Sequence, residues 1–73
     1  MRIEIDLSGL RCPLPVLRVK KALNEIAAGG ELRVFASDPE AKNDIPSFLK
    51  QAGHTLHDIS AADGGHYFLI QKK

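Results

Sequence analysis

The chain has 73 residues, of which 44% are hydrophobic and 26% charged, and a formal net charge of +1. This length suits one domain, residues 1–73, whose modest core takes roughly 60% of the unfolded chain's surface out of water, so chemistry is expected on an accessible surface rather than in a deep pocket. The near-neutral balance carries no mark of a nucleic-acid binder or a disordered tail, and the apolar runs fall far short of the roughly 20 residues that cross a bilayer.

The first segment, "RIEIDL", sets Ile3, Ile5 and Leu7 against Arg2, Glu4 and Asp6, the period-two pattern of a strand with one buried face. From Pro13 to Ala28 the period changes. Val16, Val19, Leu23 and Ile26 recur every three or four residues while Arg18, Lys21 and Glu25 fall elsewhere, which predicts an amphipathic helix ended by a left-handed cap at Gly29. "ELRVFAS" then alternates with apolar residues on both faces, as an interior strand does.

In "SDPEAKNDIP", Asp38 and Pro39 have the chemistry of an N-cap and a first turn, but Pro46 would cut a helix begun there. A turn followed by a short helix from Asp44 to Ala52, closed by Gly53, is therefore expected. The remaining "HTLHDISAADGGHYFLIQKK" predicts two strands around the glycine-rich turn "ADGG". The resulting order is βαβαββ, an α/β two-layer sandwich of the α+β type: a mixed four-stranded sheet with a right-handed crossover and two helices on one face.

The single cysteine, Cys12, directly precedes Pro13 and Pro15 in "GLRCPLPVLRVKKAL". The first amides of a helix have no intrahelical acceptor, so prolines there forfeit nothing. If Pro13 is the first helical residue, Cys12 is the N-cap and its sulfur sits at the positive end of the helix dipole, which favours thiolate. Pro15 removes one amide that would solvate that sulfur, leaving chiefly the N–H of Leu14. Arg11 and Arg18 add a screened positive potential. The expectation is a moderately activated, accessible thiol; a small buried hydrophobe with no chemistry is the competing reading of a lone cysteine.

One cysteine forms no internal disulfide, and the N-terminal "MRIEID" alternates charge with Ile instead of building a signal-peptide core, so a cytoplasmic, reducing location is expected. Arg18 and Lys21 share a helical face, with Arg11 and Lys20 nearby, and offer either a solvated surface or a docking face for an acidic partner. Asp38 and Asp44 read as helix caps. His54, His57 and His66 show no spacing that gathers them with Cys12 into a metal site, and neither metal nor cofactor is expected. Tyr67 and Phe68 read as hairpin packing, with no aromatic and basic interleaving for RNA.

The CPxP motif in "GLRCPLPV" and the segment "SDPEAKNDIPSFLKQAGH" resemble the small sulfur-carrier proteins called TusA-like or SirA-like, and the likeness runs over nearly the whole chain. The resemblance implies a sulfurtransferase-type carrier that acts within a relay and not as a stand-alone enzyme, with Cys12 accepting a sulfane sulfur as a persulfide. It also allows Asp44 to lie near the partner-facing surface. The implied donors are cysteine desulfurases or rhodanese-like enzymes, and the implied acceptors are downstream proteins of tRNA thiolation, molybdenum-cofactor assembly or sulfur oxidation. In the best-known tRNA-thiolation members the variable CPxP residue is typically acidic, whereas this chain has Leu14. A non-catalytic interaction or regulatory module on the same fold is the alternative reading.

Overall fold

In the computed structural model, which describes residues 2–73, the chain runs β1 (Arg2–Leu7), α1 (Leu14–Asn24), β2 (Glu31–Ala36), α2 (Ala41–Ala52), β3 (Thr55–Ala62) and β4 (Gly65–Gln71). The four strands form one mixed sheet in the order β1-β2-β4-β3. β1 and β2 are parallel, as a helical crossover demands, and β4 is antiparallel to both β2 and β3. The βαβαββ sandwich expected from the periodicities is the fold observed.

The core lies between the sheet and the two helices. Leu32, Val34 and Ala36 of β2 and Phe68 and Ile70 of β4 meet Val19, Leu23 and Ile26 from the first helical segment and Ala41, Ile45 and Leu49 from the second, all buried. Pro15 is fully buried as well, so it packs in the core while it starts the helix. The far face of the sheet is open. There the Arg33 guanidinium lies 4.4 Å from the Tyr67 ring centroid, Phe35 packs on Tyr67 at 5.0 Å, and Arg33 pairs with Glu4 at 3.5 Å. Tyr67 and Phe68 thus pack on opposite faces of the hairpin. No helix among the described residues is long and apolar enough to cross a membrane.

Both helices depart from their expected limits. α1 ends at Asn24 rather than Ala28, because Glu25 and Ile26 donate to carbonyls only three residues back, at Ala22 and Leu23. This tighter turn still delivers Ile26 to the core, which is why the apolar period outlasts the helix. The Lys72 ammonium donates to the carbonyl of Ile26 at 2.7 Å, and Gly29, with φ +83°, turns the following loop instead of capping the helix. α2 begins at Ala41 rather than Asp44 and passes through Pro46. Pro46 lacks the N–H that would bond the Lys42 carbonyl, but Ala41, Ile45 and Leu49 bury one continuous stripe, and that burial outweighs one lost hydrogen bond. Gly53, with φ +85°, closes α2 as expected, its N–H and that of His54 donating to the Leu49 carbonyl.

Gly65 begins β4 against the end of β2, where a β-carbon would collide with the Ala36 carbonyl oxygen and lie 2.9 Å from the Phe35 ring. Gly65→Ala is expected to cost about 1–3 kcal/mol, as overpacking generally does, and to lower the urea midpoint of unfolding. An unchanged midpoint would mean that the strand end has room to retreat.

Candidate functional site

β1 and β2 run parallel, so their C-terminal ends lie together and the loops that follow them, residues 8–13 and 37–40, are neighbours. Open α/β sheets place their sites at such an edge. Two side chains tie the loops. The hydroxyl of Ser37 accepts from the Gly9 amide at 2.8 Å. The carboxylate of Asp38 accepts from the Cys12 amide at 2.7 Å with one oxygen and from the Glu40 amide at 3.1 Å with the other. Asp38, 7% exposed, therefore fixes the backbone of Cys12 to the entrance of α2.

Cys12 is exposed, and the peptide to Pro13 is cis. It is not the N-cap of α1. That position falls to Pro13, the helix starts at Leu14, and no side chain caps it. The Leu14 amide, expected to solvate the sulfur, donates instead to the Arg11 carbonyl at 2.9 Å. The thiol has a different partner: it donates to a carboxylate oxygen of Asp44, in the first turn of α2, at 3.1 Å.

The electrostatic expectation is therefore reversed. The Cys12 thiol is pushed above its ordinary value, chiefly by the hydrogen bond to Asp44, then by desolvation and by the negative charges of Asp44, Asp38 and Glu40. Cys12 sits one residue before the cap, and the hydrogen-bond partner of its sulfur is a carboxylate. Neither aspartate caps α2 through its side chain, since the residue before the helix is Glu40. Asp38 ties the loops and Asp44 holds the thiol.

Leu14 and Leu17, three apart on α1, are 44% and 52% exposed, an apolar surface directly downstream of Cys12. The sequence supplied the signal for this, since Leu17 falls outside the Val19, Leu23 and Ile26 stripe. Arg18 and Lys21 line a shallow groove on the β1 flank of α1 together with Asp6 and Glu25, and Arg11 is exposed in the loop. The histidines lie apart: His54 accepts from the Lys73 amide, His57 meets the Gln71 side chain at 2.7 Å, and His66 pairs with Ala36 in the sheet.

The model of a family described as "Sulfurtransferase TusA" matches residues 3–72. The sulfur carrier protein TusA of Allochromatium vinosum is 46% identical over 69 residues, covering 94% of this chain and 91% of that protein. A putative sulfur carrier protein of Neisseria meningitidis is 45% identical over 94% of this chain and 93% of its own length. The crystal structure of a SirA-like protein from Desulfitobacterium hafniense superposes with a TM-score of 0.79 at 29% identity, over 97% of this chain and 95% of that one.

Two outcomes are expected. Asp38→Ala leaves two amides without their acceptor and should cost about 1–3 kcal/mol of unfolding free energy, with faster hydrogen exchange at the Cys12 amide. Because the carboxylates hold the proton on the sulfur, iodoacetamide alkylation of native Cys12 should rise only at higher pH than in the same chain unfolded in urea. Coincident pH profiles would refute that electrostatic assignment.

Proposed function

The chain belongs to the TusA sulfurtransferase family, and from that premise we propose that it carries sulfane sulfur as a persulfide on Cys12 and hands it to a downstream acceptor protein. The observation that carries this reading is the placement of the chain's one cysteine: free, exposed, and fixed by backbone and side-chain hydrogen bonds at the rim of the parallel strands. A carrier needs its sulfur reachable by two different proteins in turn, and a rim serves that need where a pocket would not.

The transfer balances without an external oxidant or reductant. The Cys12 thiolate attacks the outer sulfur of a donor persulfide, the Sγ–S bond forms, and the donor S–S bond breaks. The electron pair leaves on the donor thiolate, which ends with the proton that Cys12 gave up. Discharge repeats the step, with Cys12 as the leaving thiolate.

The donor in this reading is a cysteine desulfurase or a rhodanese-like enzyme, and the carrier works with it in the cytoplasm, where a lone thiol stays reduced. Partners dock around Cys12, with Leu14 and Leu17 as the apolar part of the surface and Arg11, Arg18, Lys21 and Asp44 as its charged part. Pro13 and Pro15 shape the turn that presents the sulfur. The leucine at position 14 makes the docking surface apolar where an acid would have made it charged, and so selects among acceptors.

Intact mass after incubation with a cysteine desulfurase and cysteine tests the reading. Wild type should gain one or more sulfur atoms, lost on reduction, while Cys12→Ser gains none. An equal adduct on Cys12→Ser, or none on wild type with desulfurases and rhodanese-like donors alike, would leave the fold as a non-catalytic interaction module.

A further inference from the structure

A carrier thiol is expected to sit beside groups that favour its thiolate, yet the group against Cys12 is a carboxylate. Asp44 reaches the sulfur from α2, whereas Cys12 belongs to the loop after β1, and the Asp38 carboxylate bonded to the Cys12 amide at 2.7 Å locks these two pieces of backbone together. The 3.1 Å contact between thiol and carboxylate is therefore built into the packing of the loops. The charged groups that act on the thiol are Asp44, Asp38 and Glu40, all on the β2–α2 side and all acidic. Among the described residues, neither Arg11 in the loop, Arg18 on α1 nor Lys42 on α2 forms an ion pair with any of them.

We propose that Asp44 is a positioning residue that keeps Cys12 protonated in the empty carrier until a partner places a cationic side chain against the carboxylate, so that thiolate forms only in the complex. This rests on the reading of Cys12 as the sulfur acceptor. The fitting partner is a protein whose reactive-sulfur segment carries an Arg or Lys beside an apolar residue, the cation for Asp44 and the apolar group for Leu14 and Leu17. A guanidinium or ammonium engaging Asp44 withdraws the acceptor of the S–H bond and neutralises the charge that opposes thiolate. The proton then leaves the sulfur, and the thiolate attacks the donor's outer sulfur as written above, the donor thiolate taking up a proton as it departs. Discharge needs the same cation, since Cys12 then departs as a thiolate that an unpaired carboxylate beside it disfavours.

Charge-graded thiol reagents test this without any sulfur donor, so the outcome is independent of whether persulfide forms. The full chain is treated at low salt with three methanethiosulfonates, carrying a trimethylammonium, a neutral methyl or a sulfonate group, each rate normalised to that of a cysteine peptide. The net charge of +1 would by itself slow the cationic reagent slightly. Wild type should nevertheless react with it faster than with the neutral one by about fivefold, the factor for one pair of unit charges a few ångströms apart in water, and with the anionic one slower than with the neutral one by a similar factor. The preference should fade in salt, collapse in Asp44→Asn and Asp44→Ser, and persist in Asp44→Glu. The pH profile for the neutral reagent should move to lower pH in Asp44→Asn and return in Asp44→Glu, a shift that a merely structural role would not produce. Equal charge preference and equal pH profiles in wild type and in folded Asp44→Asn and Asp44→Ser would overturn the proposal.

Discussion

The hydrogen bonds of one buried carboxylate organise the working end of this molecule. Asp38 sits after β2 and accepts from the Cys12 amide on one side and the Glu40 amide on the other, so the loop that carries the thiol and the entrance of α2 are one unit. In an 8.0 kDa protein with a single thin core, loops on the rim have little packing to hold them. A charged acceptor with two amide donors, screened from solvent at 7% exposure, is a stronger tie than any apolar contact the loop could make. That tie holds the backbone of Cys12 to the entrance of α2, the helix whose first turn carries Asp44.

The helix dipole and the acidic side chains act on Cys12 with opposite signs, and geometry decides between them. A helix-terminal field falls off within the first turn and needs a side chain aimed at the free amides. Cys12 lies one residue too early for that, and the Leu14 amide is already taken by the Arg11 carbonyl. A carboxylate in direct hydrogen-bond contact at 3.1 Å has no such handicap. The result is an exposed sulfur that is sterically open and electrostatically held back. That combination suits a small carrier whose thiol would otherwise meet every electrophile in its compartment.

The chain order of the elements, the parallel pairing of β1 with β2 and the hairpin were legible because they are written as periods. Two-residue alternation marks β1 and β2, and the glycine pair in "ADGG" marks the turn before β4. The element limits were less legible for a shared reason: a buried stripe overrides local signals. Pro46 argues against helix, yet Ala41, Ile45 and Leu49 hold α2 through it, and Ile26 continues the pattern of α1 although the helix has ended. The site was legible as to Cys12 and its prolines, and Asp44 was placed near it by the family resemblance. The sign of the electrostatics was not legible, because it depends on a contact across 32 positions of sequence, which no local pattern encodes. Asp38 was read only in part for a related reason, since its bond to the Glu40 amide is local whereas its bond to the Cys12 amide spans 26 positions.

Restraint on the thiol, as proposed, would let so small a surface be selective. Cys12 is exposed, so on the proposed reading discrimination among partners comes from what docking does to the sulfur. Leu14 and Leu17 are exposed, and as a docking surface they would supply affinity that many proteins could match. On the proposed reading the carboxylate adds a second condition: a protein that covers the leucines but brings no positive charge to Asp44 would find a thiol and not a thiolate. Two modest requirements met together select more sharply than either alone. On the proposed reading the acceptor must also bring a cation to Asp44, because in discharge Cys12 leaves as a thiolate that the same charge disfavours.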